Sequence, residues 1–74
     1  GITIYPNPSH GIIHFEGIPA DNETCIEVFN ALGEIIHKSK FDGTSNFLEN
    51  KSNGLYFVRL ILGNQSLTYL LLKN

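Results

Sequence analysis

The chain predicts an all-β domain of seven short strands, and three observations carry that expectation. Turn-forming clusters recur at close intervals, at Pro6-Asn7-Pro8, Pro19-Ala20-Asp21-Asn22, Asn30-Ala31-Leu32-Gly33, Asp42-Gly43, Asn53-Gly54 and Gly63-Asn64. The runs between them are rich in Ile, Val, Phe, Tyr and Thr, residues that suit a pleated, half-buried surface. No run reaches the roughly 11 residues of an ordinary helix. Strands at such spacing build a sandwich or a barrel.

The expected strands are Ile2–Tyr5, Ile12–Gly17, Thr24–Phe29, Glu34–Lys40, Thr44–Glu49, Leu55–Leu62 and Ser66–Lys73. Side chains alternate between the two faces of a pleated strand, and this period assigns the core. Ile13 and Phe15 share one side of the second run, with His14 and Glu16 on the other. In the third, Ile26 and Val28 alternate with Cys25, Glu27 and Phe29. The fourth places Ile36 inward and Ile35 and His37 outward, and the fifth offers Phe47 to the core. Two sheets meeting on these residues enclose a core about 10 Å thick, and a Greek-key sandwich is the default for seven short strands.

The last two runs depart from simple alternation. Tyr56, Val58, Leu60 and Leu62 share one face, while Leu55, Phe57 and Ile61 share the other with Arg59; Leu70 and Leu72 oppose Leu67, Tyr69 and Leu71. Each strand of a two-layer sandwich has one face toward water, so this apolar content is in excess. Two explanations stand side by side. Loops and bulky neighbours screen the excess, or Phe57, Ile61, Tyr69 and Leu71 form a patch that a partner covers.

Composition removes several classes of function. The chain has 74 residues, enough for one domain spanning 1–74. Seven acids against five bases give a net charge of −2 without blocks, whereas nucleic-acid binding calls for a basic face. No segment approaches the roughly 20 apolar residues of a membrane-spanning helix. The start shows no signal peptide, and Gly1 reads as the cut edge of a longer protein. Cys25 is alone, so no disulfide supports the small core.

The chemistry-bearing residues do not assemble into a catalytic pattern. His10, His14 and His37 lack the spacing of a closed metal site, although His14 and Glu16 stand side by side on one strand face. Cys25 lies mid-strand, away from the cationic or helix-terminal settings that activate a thiol. Glu16, Glu23, Glu27 and Glu34 read as solvated strand faces and turn flanks. No nucleophile elbow, phosphate loop or dinucleotide fingerprint is present. Asn22, Asn50 and Asn64 begin glycosylation-type triplets in polar turns, and Asp21, Asn22 and Glu23 are too sparse in acids for calcium. The expectation is a domain that is not an enzyme and takes no cofactor, metal or small-molecule substrate.

Four motifs in register point to a family. Tyr5-Pro6-Asn7-Pro8 with Gly11 comes first, then Ile26-Glu27-Val28-Phe29-Asn30-Ala31-Leu32-Gly33-Glu34-Ile35-Ile36. Asn53-Gly54-Leu55-Tyr56-Phe57-Val58-Arg59-Leu60 follows, and a basic-ended apolar strand closes the chain. Over nearly its whole length the chain resembles the C-terminal sorting domain of the type IX secretion system, found on exported proteins of Bacteroidetes-type bacteria. Asn30 stands where an Asp is frequent, and Glu34 where a basic residue is common.

The motif residues also have physical readings. Pro6 and Pro8 fix φ and bias Tyr5 and Asn7 toward extended backbone, which leaves the Tyr5 ring free to cap the core. Gly33 and Gly54 accept positive φ, and Leu32 tucks under the end of the sandwich, with Tyr56 opening the strand that follows. The resemblance implies an immunoglobulin-like sandwich that serves as a signal. An exported cargo, joined on the N-terminal side, is guided through the outer-membrane translocon to the cell surface or medium. Partners of this kind include the translocon, outer-membrane shuttle components and a sortase that commonly removes the domain and anchors the cargo. Recognition is expected at Phe57, Arg59, Ile61, Tyr69, Leu71 and Lys73, by burial of a patch or by strand addition. Two other functions compete: a carbohydrate-binding accessory module, and a spacer or adhesin that self-associates through its apolar C-terminal strands.

Overall fold

The computed structural model describes residues 1–19, 23–43 and 46–74. Among them the chain forms six strands and no helix: β1 (Thr3–Tyr5), β2 (His14–Glu16), β3 (Thr24–Asn30), β4 (Ile35–Lys40), β5 (Gly54–Leu62) and β6 (Gln65–Lys73). β1 and β2 pair antiparallel as a small sheet. The other four form a second sheet in the order β4-β3-β5-β6, with every neighbouring pair antiparallel.

Alternation places the core between the sheets. Ile26 and Val28 of β3 and Tyr56, Val58 and Leu60 of β5 are buried on one side of the larger sheet. Leu71 of β6 joins them because its register sets it opposite Tyr56. Ile4 and Phe15, paired across β1 and β2, close the core from the small sheet. Ile13, just before β2, is wholly buried.

Several sequence expectations change at this level. The expected strand at Thr44–Glu49 begins on Thr44 and Ser45, which lie outside the described residues. From Asn46 onward the chain turns instead, with Glu49 N bonded to Asn46 O at 3.0 Å and Lys51 N to Leu48 O at 3.0 Å. The turn buries Leu48 completely and leaves Phe47 half-buried at the core margin. A β-bulge between Val28 and Phe29 shifts the register of β4, so Val28 faces His37 and Phe29 faces Ile35. A bulge sets two residues opposite one and re-aims the side chains beyond it. His37, paired with buried Val28 ahead of the bulge, faces inward and stacks on Phe47 at 5.1 Å, and the extra residue Ile36 also packs against the core. Lastly, Tyr5 does not cap the core: it is 41% exposed and lies against His14 at 5.3 Å.

The hairpin tip between β3 and β4 is held by one side chain. Asn30 Oδ1 accepts from Leu32 N and Glu34 N, each at 3.0 Å, and its Nδ2 donates to Glu34 Oε1 at 2.7 Å. Gly33 supplies the positive φ of 85° that this tight turn requires. The tip projects away from both sheets, so Leu32 is 85% exposed rather than tucked beneath them.

Candidate recognition surface

The register of β5 with β6 separates the six residues expected to form one patch. Val58 pairs with Tyr69 and Tyr56 with Leu71, so Tyr69, Leu71 and Lys73 stand on the core side. Leu71 is buried, and Tyr69 is half-buried with its hydroxyl 3.4 Å from Ile2 O. Lys73 is buried as well. Its Nζ donates to Glu49 O at 3.2 Å and also to Lys51 O, so the amine ties β6 to the turn at residues 46–51. Phe57, Arg59 and Ile61 take the opposite, outward face.

The outward face has a pattern of its own. Leu55 pairs with Leu72, and Phe57 with Phe29 on one side and Leu70 on the other. Leu55, Phe57, Leu70 and Leu72 are all exposed large apolar residues. Below this apolar end runs a charged row in which Lys38, Glu27, Arg59 and Thr68 are consecutive cross-strand neighbours. Arg59 Nε and Nη2 both donate to Glu27 Oε1, at 2.8 and 2.5 Å, and Lys38 Nζ lies 3.5 Å from Oε2. The Arg59 guanidinium also sits 5.6 Å above the Phe29 ring, within reach of a cation–π attraction.

This row turns the charges out unevenly. The Glu27 side chain is only 6% exposed, against 66% for Lys38 and 43% for Arg59. Solvent therefore meets two cations with their counter-charge beneath them. Hydrogen bonding from Arg59 is the main cause holding the Glu27 carboxyl below its ordinary value, and the Arg59 and Lys38 charges add to it against an opposing desolvation.

The proline-rich segment seals part of the sheet edge. Pro6 and Pro8 carry no N–H, and the Asn7 side chain supplies the missing pair. Its Nδ2 donates to Leu70 O at 2.9 Å and its Oδ1 accepts from Leu72 N at 3.0 Å. Ser9 then pairs with Lys73 in parallel, with Ser9 N bonded to Leu72 O at 2.8 Å and Asn74 N to Ser9 O at 2.9 Å. Gly11 follows at φ 131°, where a Cβ would come 2.9 Å from Glu49 Cα. An unsealed edge is a template for unwanted strand pairing, and this segment covers the C-terminal half of β6.

These motifs converge on one family. The model of the secretion system C-terminal sorting domain matches residues 3–74. The chain belongs to this family of sorting domains. No curated protein matches the chain. The sorting domain is a secretion signal of the type IX system, a class that signals rather than catalyses, and it directs export across the outer membrane to the surface or beyond.

Two other clusters complete the search for a site. Pro6, His10, Ile12, His14 and Glu49 line an open cleft of about 310 Å³. Asn30, Leu32, Asn53, Leu55 and Tyr56 line another of about 230 Å³, continuous with the apolar end of the outward face. Among the described residues no group of three or more His, Cys, Asp or Glu could hold a metal ion. None of their helices could cross a membrane, since none forms. Cys25 is a free thiol on the outward face of β3, opposite Ile61 and Lys40.

Sequence reasoning found the outward residues of β5 but missed Leu70, Leu72, Glu27 and Lys38. Alternation with Ile26 and Val28 was enough to turn Glu27 outward, but the expectation of a solvated carboxylate fails because Arg59 and Lys38 cover it. Leu70 and Leu72 carried no such signal, because β6 is apolar on both sides.

Proposed function

We propose that the 74 residues act as one non-catalytic module, read in its folded form by the outer-membrane machinery of type IX secretion and cleaved from its cargo by a surface sortase. The reading is carried by one observation: the family match spans residues 3–74, which include both the apolar outward face and its sealed edge. A folded signal must be recognised through exposed surface. Phe57, Arg59 and Ile61 meet the partner, while Tyr69, Leu71 and Lys73 hold β6 in place behind them.

The finer fold proposed with this function is an immunoglobulin-type sandwich. The order β4-β3-β5-β6 is that of a variable-type sheet, the core strands C, F and G extended by C′. Tyr56, near the start of β5, donates its hydroxyl to Ser52 O at 2.5 Å, which matches the tyrosine corner of such sandwiches. The switch from β1 to the edge of β6 at Pro6–Ser9 supports the same reading, since chains that leave one sheet for the other do so at bends.

The test is a reporter fused ahead of residues 1–74 in a bacterium with a working type IX system, beside a strain lacking the translocon. Reporter on the surface or in the medium of the competent strain alone is the expected outcome, and its size reveals cleavage. Equal periplasmic retention in both strains would overturn the reading.

A further inference from the structure

The outward face of the larger sheet segregates its chemistry along the strands. At one end Leu55, Phe57, Leu70 and Leu72 form an exposed apolar strip. Directly below it the cationic row shows Lys38 and Arg59 to solvent over a covered Glu27. Besides the covered Glu27, the acids next to β3 and β4 lie beyond the strand ends: Glu23 and Asp42 at one end, and Glu34, bonded to Asn30, at the hairpin tip. Arg59 directs two of its five N–H donors at Glu27. A guanidinium fork of this kind suits a further carboxylate.

We infer that this face docks a protein surface of the export apparatus whose own apolar strip is bordered by Asp or Glu side chains, the carboxylates meeting Arg59 and Lys38. The inference rests on the sorting reading and specifies its partner. Strands spaced about 4.8 Å apart, at about 3.4 Å per residue, give this face of two nine-residue strands and shorter seven- and six-residue ones a plan of roughly 500 Å². That is below the ~800 Å² per partner of a standard protein interface and in the range of a transient one. An anionic lipid surface fits less well. Each base near such a surface strengthens binding only about fivefold, and the outward face carries three, Lys38, Lys40 and Arg59, two of them sharing a carboxylate, on a chain of net charge −2.

The experiment uses the reporter fused to the full chain in export-competent cells, treated with a carbodiimide that joins amines to carboxylates in direct contact. Two variants accompany it. One is Phe57→Ser with Leu70→Ser. The other neutralises the row with Lys38→Gln, Glu27→Gln and Arg59→Gln together, so that no lone charge is left covered. Purified variants are first checked for an unchanged cooperative melt. The expected results are an intermolecular isopeptide from Lys38 to an Asp or Glu of an outer-membrane secretion protein, and a loss of surface reporter of about tenfold or more in each variant. Lys38 isopeptides joining two copies of the chain would overturn the inference in favour of self-association. Binding of the chain to phosphatidylglycerol vesicles that both variants lose, without an isopeptide to protein, would overturn it in favour of lipid. Wild-type reporter exported normally beside unimpaired variants would overturn the docking face alone and leave the sorting reading standing. Wild-type reporter held in the periplasm would overturn both.

Discussion

Strands β5 and β6 carry two apolar faces that the fold treats in opposite ways. On the inner face Tyr56, Val58, Leu60 and Leu71 are buried against the other sheet. On the outer face Leu55, Phe57, Leu70 and Leu72, of the same chemical kind, remain exposed. The difference is one of covering, since β1, β2, Ile13 and Leu48 lie against one side only. Hydrophobic stabilisation follows the area removed from water, so the inner set accounts for stability. The outer set is left available for association.

The comparison is sharpest where the inner face is cut. A chain of this length has roughly 4–11 kcal/mol of stability in total. Leu60→Ala should remove about 2–5 kcal/mol by opening a cavity in a fully buried site, enough to leave a large unfolded fraction in a urea titration. An unfolding midpoint within error of wild type would break the assignment of the inner face as the core.

Lys73→Met comes next. The substitution keeps the buried stem but removes the amine that the carbonyls of Glu49 and Lys51 accept from, and each part-buried hydrogen bond lost costs about 0.5–1.5 kcal/mol. Amide exchange across residues 46–51 should accelerate, whereas a recognition role alone would leave both exchange and stability untouched.

Acid probes the outer row. The Glu27 carboxyl is held below its ordinary 4.5, first by the hydrogen bond from Arg59. A depressed folded value stabilises the fold above that ordinary value, and the contribution fades as pH falls through the lowered one. The melting advantage of wild type over Glu27→Gln should thus be level above about pH 4.5 and shrink below it. Because the partners are solvent-exposed the effect is small. An advantage that grows in acid would refute the sign.

The smallest effect is expected at the outer apolar strip. Leu70→Ser should shift stability by no more than about 0.5 kcal/mol, measured by denaturant titration. A loss comparable to that of Leu60→Ala would erase the contrast between the two faces.

The hairpin tip at Asn30 and Glu34 shows how one side chain closes a turn. Here the chain joins an amide to a carboxylate at 2.7 Å. Asn30 Oδ1 accepts from Leu32 N and Glu34 N, as an Asp oxygen would. The turn holds because the oxygen closes it, and the residue at 34 needs only to be a partner for the group left over.

Much of the fold follows from local rules and was legible residue by residue. The alternation of Tyr56, Val58 and Leu60, the hairpin punctuated by Gly33 and the turn at Gly63-Asn64 depend on pleating and on backbone preference, which act over a few neighbours. Tertiary structure decided the remainder. The pairing with Val28 turned His37 inward and the bulge beyond it kept Ile36 on the core side as well, and no periodicity announces an inserted residue. The pairing of Val58 with Tyr69 decided which side of β6 is core, because a strand apolar on both faces offers no contrast for alternation to read. Leu32 was misplaced for a related reason: hydrophobicity marks a residue fit for burial, but burial requires a neighbouring surface, and the hairpin tip at residues 30–34 reaches past both sheets. The sequence alone thus marked the six strands that form among the described residues, though it expected a seventh where the chain turns from Asn46, and it carried the family motifs; these are written in short-range preferences. Only the assembled sheets decided which apolar residues found cover, because cover is supplied by segments as distant in sequence as Ile13 from Leu71.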